Sequence, residues 1–345
     1  MEKYIYRYLC DFDFSQKAAL CSQLEHRGSV PRKDYPVMLI PEHGRPVGTV
    51  GGGALEHSVI ETAGDVLKDE QPRFEGFELT NDDPDQEGGI CGGSTRVLIE
   101  PYTPSVRDLW AAVDLENLRE PGIIVITEVA GNEILQVRRY VTRSESAAHD
   151  YPETLKESVE QVWRLGESCT LSKPEGFYLI QLIRPFPVLH IFGAGHVGRA
   201  VAQFAHLIDC DVIVYDDRED LANREYFPHA KRIVVKSFAD VLEGAEISSH
   251  DFVVVMTRGH RNDLELLKML LTMEIRYLGL LSSERKWSVF SKVLKEEGYS
   301  QELIDTVHAP VGLEIASETV PEIAVSIIAQ IIQTMRIAAG SGQTG

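Results

Sequence analysis

A glycine-rich turn between an apolar run and a helical pattern constrains this chain more than any other feature. VLHIF, residues 188–192, leads into Gly193-Ala-Gly195-His-Val-Gly198 and then into RAVAQFAHLIDC; DVIVYDD follows and ends in Asp216 and Asp217. This is a GxGxxG in the context that gives it meaning: after a strand, opening a helix, and about 20 residues ahead of an acid. Gly193 serves the tight turn, Gly195 lets backbone approach a pyrophosphate, and Gly198 lets helix and strand pack closely. The helix N-terminus offers unpaired N–H groups and a partial positive charge to phosphates. On this reading Asp216 accepts hydrogen bonds from a ribose 2′-hydroxyl and repels a 2′-phosphate.

The theme repeats downstream. RIVV (232–235), DFVVVM (251–256) and RYLGLL (276–281) alternate with the helical patterns NDLELLKMLLTM and ERKWSVFSKVLKEEG. Such alternation is the sequence form of βαβ units on a parallel sheet. Pro185 and Pro187 punctuate the chain ahead of it, and a length of 345 residues suits two domains. The expected boundaries are 1–186 and 187–345, the latter a Rossmann-like nucleotide-binding domain. Thr319-Val-Pro-Glu322 reads as a capped start of the last helix. Its stretch IAVSIIAQII is apolar almost all round, which fits either a homodimer face or a helix buried in its own domain.

The first half mixes elements without strict alternation and reads as α+β, so the chain as a whole is α/β. A helix is expected over Phe14–Glu25, strands at 37–40, 95–102, 123–130 and 178–183, and a helix through ALEHSVIETAGDVLK. NDDPDQEGG, residues 81–89, reads as an exposed acidic loop.

Several clusters have the composition of ligand sites. Thr257-Arg258-Gly-His260-Arg261-Asn-Asp263 and Ser282-Ser-Glu-Arg-Lys286 each follow an apolar run, where a parallel sheet places its ligands. Arg258, His260 and His196 suit an anionic group; the structural alternatives are helix capping by Ser282 or Ser283 and solvated loop histidines. In the first half, Gly51, Gly52 and Gly53 lead into a helix, and Cys91 stands between Gly88-Gly89 and Gly92-Gly93. Glycine runs mark positive φ or close approach of a ligand. Cys91 therefore reads as an accessible thiol with a chemical role: sulfur carrier, soft-metal ligand or nucleophile. Cys10, Cys21, Cys169 and Cys210 read as small buried hydrophobes. Arg27 and Arg32, in RGSVPRK, form a candidate anion clamp. Five scattered cysteines without a CxxC exclude a disulfide framework and a four-thiolate zinc site, and no metal site is expected.

Composition narrows the classes. With 34 Lys+Arg against 53 Asp+Glu, the net charge is −19, and such a surface repels nucleic-acid backbones and anionic lipid. There is no apolar run of the length a membrane span needs, and the first residues lack a signal-peptide pattern, so a soluble, cytoplasmic protein is expected.

Taken together, RGSVPRKDYPVML, GTVGGGALE, GGICGGSTRVLIEP, HIFGAGHVGRAVA, VVVMTRGHRNDLELL, GLLSSERKW and HAPVGLEIASETVPEIAVSIIAQII resemble the XdhC/CoxI family of xanthine dehydrogenase maturation factors. Val30 stands where a small hydroxylic residue is more usual before Pro31-Arg32. The resemblance implies a chaperone that binds molybdenum cofactor, assists its sulfuration with a cysteine desulfurase and delivers it to an apo molybdenum hydroxylase. It implies a cofactor site at Cys91, Gly92, Gly93, Gly51, Gly52, Gly53, Arg27 and Arg32. It also implies a nucleotide site at Gly193, Gly195, Gly198 and Asp216, for NAD or another nucleotide. Such a protein is a maturation factor rather than a metabolic enzyme. The alternative reading, from GAGHVG and Asp216, is an NAD-dependent oxidoreductase using His196, His260 or Arg261.

Overall fold

The computed structural model describes residues 3–28, 35–78, 93–115, 118, 121–131, 135–143 and 151–340. They divide into two compact units, Met1–Pro185 and Phe186–Gly345.

The first unit runs α1 (Lys3–Asp11), β1 (Ala18–Gly28), β2 (Val37–Pro41), β3 (Val47–Gly48), α2 (Gly53–Asp69), β4 (Arg73–Glu78), β5 (Gly93–Pro101), α3 (Pro104–Val113), β6 (Ile123–Ala130), β7 (Gln136–Thr142), α4 (Lys156–Leu165), β8 (Cys169–Lys173) and β9 (Gly176–Ile183). Two antiparallel sheets result, ordered β3-β2-β1-β5-β4 and β7-β6-β9-β8. Side-chain alternation stacks them into layers. Val97 and Ile99 of β5 pack with Leu55, Val59, Ala63 and Val66 of α2, while Leu98 faces the other way onto Val129, Phe177 and Leu179 of the second sheet. The far face of that sheet, with Ile124, Ile126 and Ile180, is covered by Val159 and Val162 of α4. Across the two sheets, Arg139 of β7 pairs with Glu100 of β5, both buried.

The expected helix over Phe14–Glu25 is a correction. Residues 18–28 form β1, which lies between β2 and β5. Leu20, Cys21 and Leu24 have helix-like spacing, but a central strand buried on both faces also shows a continuous apolar run, and a register shift between Gln23 and Glu25 disturbs its alternation. The N-terminal helix is instead α1, which buries Ile5, Tyr6 and Leu9.

The second unit runs β10 (Val188–Phe192), α5 (His196–Leu207), β11 (Asp211–Asp216), β12 (Arg232–Val235), β13 (Phe252–Val255), α6 (His260–Leu270), β14 (Tyr277–Leu280), α7 (Glu284–Glu296), α8 (Gln301–Asp305), β15 (Val307–His308) and α9 (Val320–Gly340). Its six strands are all parallel, ordered β12-β11-β10-β13-β14-β15. Both faces are covered, which explains the unbroken apolar strands. Val201 and Ala205 of α5 and Ile327 and Ile331 of α9 share a core with Leu189, Ile191, Val212 and Val254. Leu266 and Leu267 of α6 and Phe290 and Leu294 of α7 pack with Phe192, Val253 and Val255. The apolar α9 thus buries one face in its own unit, while Val325 and Ile332 remain exposed. Among the described residues, no helix is long and apolar enough to cross a membrane.

Candidate functional site

The second unit winds in one direction from β10 and in the other from β13, so the crevice at their C-terminal ends is the topological switch point, where such sheets take ligands. The glycine turn lies there, and its three glycines do different work. Gly193 has φ +125°, and a Cβ on it would come within 2.3 Å of the Met256 carbonyl oxygen at the end of β13. A Cβ on Gly198 would lie 2.2 Å from the Gly193 carbonyl oxygen, so this glycine lets α5 close onto the turn. Beside Gly195 nothing lies within 4 Å of the Cβ position. Gly195 also occupies the N-cap of α5, which has no capping side chain. The arrangement suits a nucleotide: two glycines are filled by the protein, and the third borders open space at a helix N-terminus. His196, the next residue, is exposed.

Asp216 departs from its expected role. Its carboxylate has no exposed surface and accepts four hydrogen bonds from the protein. Oδ2 accepts from Ala194 N at 2.6 Å and Arg218 Nη2 at 2.8 Å; Oδ1 accepts from Arg218 N at 3.0 Å and Nε at 2.8 Å. A carboxylate offers about four acceptor positions, so none is left for a ribose. Burial opposes ionisation, but the Arg218 guanidinium and the Ala194 N–H together hold this carboxyl below the usual carboxylate range. Asp216 braces the glycine turn from below. The sequence reading missed Arg218, and its signal was a cation two residues after the strand-end acid.

At the end of β13, the Thr257 N–H and hydroxyl both donate to Asp263 Oδ1, at 3.0 and 2.7 Å, and Lys286 Nζ donates to Asp263 Oδ2 at 2.5 Å. Arg258, His260 and Arg261 are exposed, and among the described residues neither arginine has a hydrogen-bond or ion-pair partner. They stand as free positive groups beside the switch point of an acidic protein. Ser283 caps α7, accepting from Lys286 N at 3.2 Å, so the capping alternative holds for it; among the described residues the buried Ser282 hydroxyl has no partner.

In the first unit, strand register gathers the candidate residues at one end of the five-stranded sheet. Arg27 pairs with Ser94 and Gly28 with Gly93 between β1 and β5, Glu78 pairs with Ser94 between β4 and β5, and Met38 pairs with Gly48 between β2 and β3. The C-terminal ends of β1 and β4 and the N-terminal end of β5 therefore lie together, whereas β2 starts opposite Ser22 and Gly48, through Met38, lies level with Cys21, short of that end. Arg32, Cys91 and Gly92 lie outside the described residues, as does the side chain of Arg27 and the acidic stretch 81–89.

Gly51, Gly52 and Gly53 have φ of +133°, +82° and +62°, and the Cβ positions of Gly52 and Gly53 meet none of the described residues within 4 Å. The positive φ is as expected, but most of the loop N–H groups are not free. Glu56, in the first turn of α2, accepts from Val50 N at 3.2 Å, Gly52 N at 3.0 Å and the Thr49 hydroxyl, and Gly51 N donates to Thr49 Oγ1 at 3.1 Å. These donors are already used, so an anion at this loop must find its positive partners elsewhere. The signal for Glu56 was only an acid in the first turn of α2; its spacing of seven from Thr49 is not that of a capping box. Of the other cysteines, Cys21 and Cys210 are buried as expected, whereas Cys10 and Cys169 are only partly so.

Comparison with known proteins follows the same division of the chain. Residues 189–331 match the XdhC Rossmann domain, and residues 15–78 match the XdhC and CoxI family. A probable subunit of xanthine dehydrogenase from Bacillus subtilis (strain 168) is 26% identical over 328 residues, covering 93% of this chain and 94% of that one. The uncharacterized protein YqeB of Escherichia coli (strain K12) is 28% identical over 323 residues, and this chain spans only 44% of its length. A solved structure of a xanthine dehydrogenase from Bacillus halodurans superposes with a TM-score of 0.81 at 26% identity, covering 99% of this chain and 97% of that one.

Proposed function

This chain belongs to the XdhC and CoxI family, and from that premise we propose that it is a maturation factor for a xanthine dehydrogenase-like molybdenum hydroxylase. In this reading it binds molybdenum cofactor, shelters it during sulfuration by a cysteine desulfurase, and delivers it to the apo-hydroxylase. When bound, the cofactor supplies the metal centre at which an oxo ligand is exchanged for a sulfido ligand.

The observation that carries the reading is the pairing of Gly28 with Gly93. It makes neighbours of two strand ends, one leading toward Arg32 and the other coming from Cys91. Gly52 and Gly53, at the N-terminus of α2, have open flanks among the described residues. A bulky ligand fits beside glycines whose flanks the described residues leave open. Because Glu56 and Thr49 use the loop N–H groups, the phosphate of such a ligand falls to Arg27 and Arg32, as bidentate partners. The thiol of Cys91 is then the group that meets the metal or the incoming sulfur. In the second unit, the open side of Gly195 and the free Arg258 and Arg261 suit a nucleotide. A second copy of the chain would be received on Val325 and Ile332 of α9.

Redox catalysis with NAD finds less support. His196 and His260 are exposed, and among the described residues neither ring has a hydrogen-bond partner to orient it for proton transfer.

The test is to purify the protein from cells that make molybdopterin and to identify the released small molecules by mass spectrometry, with Cys91→Ala alongside. Bound pterin that is reduced in the variant is the expected result. Absence of pterin, together with full hydroxylase activity in a deletion strain, would overturn the proposal.

A further inference from the structure

The end of β11 carries two consecutive carboxylates, Asp216 and Asp217, and then a cation, Arg218. In a Rossmann site the carboxylate at this position accepts hydrogen bonds from the ribose hydroxyls, and a nearby arginine takes the 2′-phosphate where the ligand has one. Here neither Asp216 nor Arg218 is free for its usual task. Asp216 is filled by four protein donors, and Arg218 supplies three of them. Turning Arg218 toward a ligand phosphate would strip the cation from a carboxylate that has no exposed surface, a costly change.

Other cations of this region are also engaged. Arg199, in the first turn of α5, lies with its guanidinium 3.4 Å from the centre of the Tyr226 ring, and Lys236, whose N–H donates to the Asp216 carbonyl, donates through Nζ to the Glu243 carbonyl at 3.2 Å; Arg224 reaches the other end of β11, on the carbonyls of Ala230 and Lys231. The free charge at the strand end is negative. Asp217 is exposed, with its ion-pair contact to Arg218 Nε as long as 3.7 Å, and Glu219 and Asp220 behind it are exposed as well.

We infer that Asp217, not Asp216, is the ribose-reading and specificity-determining residue of the second unit, and that the unit admits nucleotides with a free 2′-hydroxyl and rejects 2′-phosphorylated ones. This rests on the nucleotide reading given under the proposed function. The two acids then divide the work: Asp216 holds the glycine turn in shape through Ala194 N, and Asp217 meets the sugar. Their substitutions have different signatures. Losing the brace weakens every nucleotide by the same factor, whereas losing the reader changes the ratio between nucleotides.

Isothermal titration of the full chain with NAD and NADP, and with ADP and 2′-deoxy-ADP, tests this. The expected result is that, within the pair that binds, the form with a free 2′-hydroxyl binds at least about tenfold tighter, since its rival offers a like charge or no donor. Asp217→Asn, on the exposed strand end, keeps the far-UV circular dichroism of the parent and brings NADP to within about threefold of NAD. Asp217→Ala does the same for the ADP pair. Asp216→Asn weakens both members of a pair and leaves their ratio unchanged. Equal or tighter binding of the 2′-modified form, or an unchanged ratio in the Asp217 variants, overturns the assignment and leaves the nucleotide reading intact. Failure of all four probes to bind overturns both.

Discussion

Lys286 and Asp263 form an ion pair, 2.5 Å from Nζ to Oδ2, that joins the ends of two neighbouring parallel strands. Lys286 Nζ also donates to the Leu281 carbonyl at 3.1 Å after β14, and the second oxygen of Asp263 holds both donors of Thr257 after β13. Asp263 is 1% exposed, so the lysine is the neutralising partner of a carboxylate shut off from water. Lys286→Met is therefore expected to cost about 3–5 kcal/mol, the usual result of leaving a buried charge unpaired. Adding Asp263→Asn recovers much of the loss, because the remaining amide still accepts from Thr257. Denaturant unfolding of both variants checks this; a single variant within about 1 kcal/mol of the parent contradicts it.

The glycine turn makes a prediction in which fold and binding separate. Gly195 is the N-cap of α5, with extended backbone and open space beside it, and aspartate is a favoured N-cap residue. Gly195→Asp is expected to leave the melting temperature unchanged or slightly raised while abolishing nucleotide binding, since its carboxylate occupies the phosphate position. Gly198→Ala behaves in the opposite way. Its methyl meets the Gly193 carbonyl oxygen at 2.2 Å, a backbone atom that cannot step aside, and destabilisation of about 1–3 kcal/mol is expected. Thermal melts and a nucleotide titration on both variants provide the comparison.

How legible these features were in the sequence depends on whether local pattern or tertiary partners decide them. VLHIF, DVIVYDD and RIVV are strands because a parallel sheet buries both faces, and that need is written residue by residue. β1 needs the same burial, but its strand character comes from β2 and β5, which are distant in sequence, and its local spacing equally fits a helix. The glycines of GAGHVG were readable because their constraint is steric. Asp216 was readable as important and misread in role, since only the structure shows Arg218 and Ala194 filling its oxygens. The pairing of Arg27 with Ser94 and of Gly28 with Gly93 at one sheet end depends on register, which no local pattern records.

Glu56 should control the order of the glycine loop in the first unit. Its Oε1 alone accepts from Val50 N, Gly52 N and the Thr49 hydroxyl, so Glu56→Ala leaves three donors seeking water. The expected loss is about 1 kcal/mol, near the value of a helix cap. Local amide exchange responds more sharply than global stability: the Val50 and Gly52 N–H groups lose protection, while amides in β5 keep theirs. Unchanged exchange at these two positions in the variant contradicts the assignment.

Acid should weaken the second unit through two buried carboxyls. Burial raises the Asp251 carboxyl, but hydrogen bonds from His190 Nε2 at 3.2 Å and Ser248 N at 2.7 Å outweigh it and hold the group below its ordinary range. Asp216 is lowered in the same direction by Arg218 and Ala194 N. A carboxyl with a depressed value in the folded state contributes stability that is complete above the unfolded value, near 4, and is lost as the pH falls through the folded value. Stability of the second unit is therefore expected to hold from neutrality down to about pH 4 and to fall below it. Asp251→Asn removes one of the two titrating groups, so its stability is lower at neutral pH and its decline in acid is shallower. Unfolding free energies measured by denaturant across this range decide it. A slope in the variant as steep as in the parent means that Asp251 is not one of the groups responsible, and the acid sensitivity then falls to Asp216 and its contact with the glycine turn.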